Sequence, residues 1–278
     1  GAARNVEIPD GVSIAGVELS KPTELLGAVK AVGQSGNLRY GFLSAFENES
    51  DFLGQNDTTG ATVRLKNDGR DFGVARVLYE ASSGEGRKSI GYLGTLASSE
   101  QQDAVVHGID THWMSSSGKW SVDNQFMASE KADAQGYGLF FDVGYTPKQG
   151  MSHSLGIDAL DDTLDISDLG YLRTNDSYGA SYNFMTMKSQ GLPLWLRNQS
   201  LGVFLKANQN GDGYLNRGYA GIFAGLLFAD NSEFRMELNY LPAYYDDKNS
   251  RGNGIFQYEG GHMVLFSYGT STAKKFST

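Results

Sequence analysis

The stretch Phe234-Arg235-Met236-Glu237-Leu238-Asn239-Tyr240-Leu241-Pro242-Ala243-Tyr244-Tyr245 alternates residue by residue. Phe234, Met236, Leu238 and Tyr240 fall on one side, Arg235, Glu237 and Asn239 on the other. Successive side chains of an extended chain point to opposite faces, so this period of two predicts a strand with one apolar and one wet side. Trp120–Ser129 repeats it, with Trp120, Val122, Phe126 and Ala128 set against Ser121, Asp123, Gln125 and Ser129. Leu139, Phe141, Val143 and Tyr145 alternate with Gly138, Phe140, Asp142 and Gly144. Tyr178, Ala180, Tyr182 and Phe184 alternate with Ser177, Gly179, Ser181 and Asn183, and Leu201, Val203 and Leu205 with Gly202, Phe204 and Lys206.

Turn-forming residues separate these runs: Asn67-Asp68-Gly69, Ser83-Gly84-Glu85-Gly86, Ser116-Ser117-Gly118-Lys119, Asn210-Gly211-Asp212-Gly213, Ala229–Ser232 and Thr146–Gly150. The breaks divide the chain into roughly 12 to 14 strands of about 9 to 12 residues. No helical period of useful length competes; Glu24–Val32 comes nearest, and Gly27 and Gly33 suit a strand as well. Composition agrees. The 36 glycines are roughly twice the usual share, beside 15 Tyr, 15 Phe and only 5 Pro.

Several classes are excluded. An aromatic content of 12% is far too high for a disordered chain. A membrane helix needs about 20 apolar residues in a row, and the densest patch, Ile222–Phe228, is short and interrupted by Gly225. Without cysteine there is neither disulfide nor thiolate metal site. A net charge of −9 argues against a nucleic-acid partner. Gly1–Asp10 does not read as a signal peptide, so the chain is expected to be a mature protein, an excised domain or a cytoplasmic protein.

Strands of this length suit a tilted membrane crossing better than a sandwich, whose strands are usually about 5 to 6 residues. The wet face carries Gly, Ser, Asp, Gln, Asn, Arg and Glu, which would fill a dry core poorly. Trp113, Trp120, Tyr137, Tyr145, Tyr244 and Tyr245 gather near strand ends, as in an interfacial girdle. The expectation is an all-β, antiparallel up-and-down transmembrane β-barrel spanning 1–278 as one domain or barrel segment. A large β-sandwich or β-helix is the alternative.

Three segments, in order, carry a resemblance: Glu24–Gly41; Gly136–Leu172, with Gly144-Tyr145-Thr146-Pro147, His153-Ser154-Leu155-Gly156 and Asp161–Leu172; and Tyr245–Gly254. They resemble a family of bacterial outer-membrane barrels of unknown function whose members carry an N-terminal carbohydrate-binding module of the family 9 type. The resemblance implies an internal part of a longer barrel, a bacterial outer-membrane location, the lipid bilayer as partner, and glycans as partners through the upstream module.

Candidate chemistry is sparse. Asp161, Asp162, Asp165 and Asp168, with Asp158, form the densest carboxylate group. Calcium is one reading, since it takes oxygen ligands from loops; a glycosidase pair is a second, and a solvated loop a third. Asn208–Gly213 resembles the start of a calcium loop but has Tyr219 where the bidentate Glu belongs, so it reads as a turn. His107 and His112, five apart, face opposite sides of one strand. There is no H-E-x-x-H, G-x-S-x-G or Walker sequence. In a barrel, Arg64, Arg76, Arg197, Lys206, Arg217 and Arg235 would point into the lumen and face Asp123, Asp142 and Glu237. They would set ion preference or tie a plugged lumen together. The expected function is a non-catalytic pore or membrane anchor associated with glycan binding or uptake, with no cofactor other than the calcium reading. A polysaccharide-acting hydrolase and a structural protein that assembles through edges or loops are the alternatives. The longer Asp161–Asn175 and Asp246–Asn253 stretches would face outside.

Overall fold

The computed structural model describes residues 8–248 and 254–271. In chain order the elements are β1 (Val12–Ile14), α1 (Gly16–Leu19), β2 (Leu25–Ser35), β3 (Leu38–Glu47), β4 (Ser50–Asn56), β5 (Thr62–Asn67), β6 (Asp71–Ser83), β7 (Gly86–Ser98), β8 (Asp103–Ser115), β9 (Trp120–Lys131), β10 (Ala134–Lys148), β11 (Met151–Leu160), β12 (Ser177–Lys188), β13 (Leu196–Gln209), β14 (Leu215–Phe228), β15 (Glu233–Leu241), β16 (Tyr244–Asp246), β17 (Phe256–Tyr258) and β18 (Gly261–Gly269). The all-β class and the large antiparallel meander are as read from the alternation.

One 13-stranded sheet dominates, in the order β18-β15-β14-β13-β12-β11-β10-β9-β8-β7-β6-β3-β2. Every neighbouring pair in it is antiparallel. Two small sheets are inserted. β4 and β5 join β1 between β3 and β6, and β16 pairs with β17 between β15 and β18. The expected closed barrel is not seen. β2 and β18 end the sheet without pairing with each other. An odd number of antiparallel strands leaves these two edges running the same way, so they could join directly only as a parallel pair.

Phe234–Tyr245 is not one strand. β15 stops at Leu241, and Tyr244–Asp246 starts a separate hairpin. Pro242 has no N–H to give the ladder, so the sheet ends there. Likewise Asn67-Asp68-Gly69 closes no hairpin; it links the small sheet to β6. The stretch Glu24–Val32 lies mostly in β2, not in a helix.

One end of the strands carries only short connections, at 36–37, 84–85, 116–119, 149–150, 189–195 and 229–232. The other end carries short ones at 99–102, 132–133 and 210–214 and also the long ones at 48–70 and 161–176 and the stretches 242–248 and 254–260. The register is also slanted. Tyr40, third residue of β3, is in line through seven intervening strands with Gln209, the last residue of β13. The row climbs by roughly one residue per strand. With about 3.3 Å per residue and about 4.8 Å between strands, the strands lean by about 35°.

Residues opposite each other across a ladder share a face, so the pairings define two. One row of the first face reads Tyr40, Val77, Tyr92, Ile109, Phe126, Leu139, Ala159, Tyr178. Charged residues on this face are confined to strand ends: Asp71, Lys88, Asp103, Glu130, Lys148 and Lys188. Many of its large side chains are exposed, from Trp113 at 37% to Phe266 at 61%, while Phe141, Tyr182 and Phe234 are half-buried. The second face carries the charges, amides and glycines, mixed with Leu93, Met127, Phe140, Phe204 and Phe223. Few side chains are fully buried. Phe52 lies in the small sheet; Leu164 packs with Met127 and Leu160.

Candidate functional site

Charged and hydrogen-bonding side chains converge on the polar face. Glycine shapes it. Arg76 on β6 and Asp110 on β8 flank β7, and they meet over Gly91, where an added Cβ would lie 2.5 Å from Arg76 Nη2. The pair is bidentate, its second arm at 2.9 Å. Asp158 and Asn208 meet in the same way over Gly179, with Asn208 Nδ2 donating at 2.5 Å. Strands two apart are separated by about 10 Å. Such short side chains span it only by lying flat along the sheet, and a bare glycine leaves the room.

The next row reads Ser89, His112, Asp123, Asp142, Gly156, Ser181, Lys206, Tyr219. His112 Nδ1 lies 2.5 Å from Asp123 Oδ1. His107, as expected, is on the opposite face, 2.7 Å from the Tyr92 hydroxyl. Arg76, Asp123, Asp142, Lys206, Arg217, Arg235 and Glu237 therefore share the polar face of the large sheet. Two of the expected residues do not. Arg64 is on β5 of the small sheet, 3.6 Å from Asp51, because β4 and β5 alternate like the long strands but pair elsewhere. Arg197 sits at an irregularity in the β13–β14 register and donates to Asn231 in the turn at 2.6 Å. Arg235 is 3.2 Å from Glu233 on its own strand. The reading of single residues missed Asp110, His112, Asp158, Asn208 and Asn239 as members of this face. A period-two count through 103–115 and 151–160 would have found the first three.

The four carboxylates of the calcium reading do not converge. Asp165 and Asp168 hold Lys131 Nζ at 3.0 and 2.9 Å, and Asp168 lies 3.7 Å from Arg70, itself 3.6 Å from Glu47. Asp161 accepts the Tyr137 N–H at 2.6 Å. Asp162 offers its backbone carbonyl to Asn175 Nδ2, also at 2.6 Å. Among the described residues no group of three or more His, Asp or Glu is placed to hold a metal. The loop 161–176 instead packs on the polar face. Leu164 is 2% exposed against Met127 and Leu160, with Phe140, Ile166 and Leu172 around it. Its backbone lies over Gly136, whose added Cβ would meet Leu164 N and Cα at 2.3 Å.

Burial alone would raise the Asp165 carboxyl. The Ser167 hydroxyl and backbone N–H, together with Lys131, outweigh it and hold the group down to about 2. Of the stretch 208–213 read as a turn, Asn208 and Gln209 end β13 and the turn itself begins at Asn210, whose Oδ1 accepts the Tyr214 N–H at 2.9 Å. The resembling stretch Tyr245–Gly254 falls partly outside the described residues, at 249–253. No family model, curated protein or solved structure matches the chain.

Proposed function

We propose that the large sheet is the wall of a membrane β-barrel in a bacterial outer membrane, its apolar face toward lipid and its polar face toward a water-filled lumen. Its work is that of a non-catalytic pore, or of a membrane anchor, associated with glycan binding or uptake. One observation carries this reading. Thirteen adjacent strands expose an apolar face whose charges are confined to strand ends, back to back with a face that carries charges along the strands, the Arg76–Asp110 pair among them. Exposed apolar area of that extent needs a non-aqueous neighbour. The lean of about 35° and the short turns at one end with long connections at the other fit the same reading, with the long end outside. Closure then needs an odd number of further strands or one parallel pair.

β2 and β18, which have no further strand beside them among the described residues, support a second reading, a structural protein that assembles through its edges, since open edges recruit strands. For the hydrolase alternative the geometry offers Asp123 and Asp142, opposed on neighbouring strands. They lie on an open face and not in a cleft that excludes water, and Asp123 is already engaged by His112.

Single-channel recording on detergent-folded protein in a planar bilayer tests the proposal. Steady conductance steps, with an ion preference that shifts when Asp123 and Asp142 become Asn, are expected for a pore. Silence from protein shown to be inserted would leave the anchor. Failure to insert at all would overturn the membrane reading and favour assembly through edges.

A further inference from the structure

Three rings on the polar face lie flat on the sheet. A Cβ added to Gly221 would meet the Tyr219 hydroxyl at 2.6 Å and its Cζ at 2.9 Å. One added to Gly202 would meet two ring carbons of Phe204 at 3.0 Å, and one on Gly225 would meet Phe223 Cζ at 3.2 Å. Each ring thus covers a bare glycine two residues away on its own strand, and all three lean toward the short-turn end. Phe204 is opposite Gly221, and Phe223 is opposite Gly202. The rings therefore step along the sheet, alternating β14, β13, β14. A flat ring turns its π face, not its edge, to whatever occupies the space above.

Tyr40 and Tyr92 cover Gly33 and Gly94 on the apolar face in a similar way, where packing is reason enough. The polar-face series has something more. Asn239 on β15 is 6% exposed; its Oδ1 accepts the Tyr219 hydroxyl at 2.6 Å, and its Nδ2 has no hydrogen-bond partner among the described residues. A buried donor left unmet is costly, so this one is poised to donate to whatever acceptor fills the space beside it. Asn239 lines a cavity of about 260 Å³ with Met185, Phe204, Tyr219, Phe223 and Glu237. Whole-ligand pockets are usually about 300–1,000 Å³, so this one suits a single unit of a longer molecule.

We infer that Tyr219, Phe204 and Phe223 form a track for a neutral oligosaccharide, a deeper form of the pore reading and resting on it. A pyranose has C–H bonds on its flat faces, which stack on rings, and hydroxyls around its rim. Asn239 Nδ2 would donate to one hydroxyl and Glu237 would accept from another.

The test is interruption of single-channel current by hexasaccharides of α-1,4-glucose, β-1,4-glucose and β-1,4-xylose, with polyethylene glycol of equal size as control. At least one sugar should block. Phe204→Ala with Phe223→Ala should weaken that block about tenfold while the channel still opens. Phe204→Leu, which keeps apolar bulk without a π face, should weaken it too. Absence of block by every sugar, equal block by polyethylene glycol, or unchanged block in the variants would overturn the track. If the protein does not conduct, the pore reading fails separately. Calorimetry of the same sugars on detergent-folded protein then decides the track: heat that the double variant loses supports it, and no heat from the unaltered protein overturns it.

Discussion

Gly179 and Gly73 show how differently one residue type is used on the two faces. A Cβ at Gly179 would sit 2.2 Å from Asn208 Nδ2 and 2.7 Å from the Ala207 carbonyl, which is backbone and cannot swing away. At Gly73 the nearest atom is Leu96 Cβ at 3.7 Å, ordinary contact. Gly179→Ala should therefore destabilise by about 1–3 kcal/mol and break the Asp158–Asn208 bridge. Gly73→Ala should be neutral or stabilising by about 0.5 kcal/mol, since it removes freedom from the unfolded chain. Urea titration of both variants, folded into the same vesicles, measures the difference. Such pairs are invisible to composition: 36 glycines predict strands and turns, but which glycine lies beneath a side-chain bridge depends on residues as far apart as Asp158 and Asn208.

The loop 161–176 is the element whose behaviour departs most from its sequence reading. Read as residues, its aspartates offer calcium or solvent; folded, they latch the loop onto Lys131 and toward Arg70. Asp165 has a folded value of about 2, below the usual value near 3.9, so its contribution is fully present above about pH 4. It is lost as the pH falls from about 4 through about 2. Hydrogen exchange of the Asp165 amide, which donates to Ser129 Oγ at 3.0 Å, should stay protected down to about pH 4 and become exposed below that. At neutral pH, Gly136→Ala would drive a methyl group into the Leu164 backbone and lift the loop. Trypsin should then cut after Arg173 several-fold faster than in the unaltered protein. Equal rates would mean that the loop is not held by this contact.

For the sheet, the decisive comparison is between adjacent residues on opposite faces. Phe126 is 45% exposed in the middle of β9 on the apolar face; Gln125, next to it, is on the polar face. Phe126→Arg should cost about 2–4 kcal/mol if that face meets the middle of a bilayer, and Gln125→Arg less than about 1 kcal/mol if its face meets water. The readout is folding into phospholipid vesicles against urea. Equal costs would remove the sided arrangement on which the membrane reading stands.

Alternation along one strand is a local property. Cβ atoms alternate whatever the strand pairs with, so Trp120–Ser129 and 138–145 announced their two faces correctly, as did the opposed His107 and His112. The all-β class and the antiparallel meander follow from the same pattern and from the turn residues between runs, but the count of 12 to 14 strands does not: the described residues hold 18, 13 of them in the large sheet and five short ones in the two small sheets. Pairing is not local. Arg64 alternates within β5 as Arg76 does within β6, yet β5 joins β4 and β1 while β6 joins the large sheet. Register, the lean of the strands, the bridges over glycine and the flat rings come from contacts between residues tens of positions apart, where loop lengths and side-chain fit choose the partner. The same holds for the open edges: no pattern within β2 or β18 says what should lie beside it, and only the assembled sheet leaves both unpaired with each other.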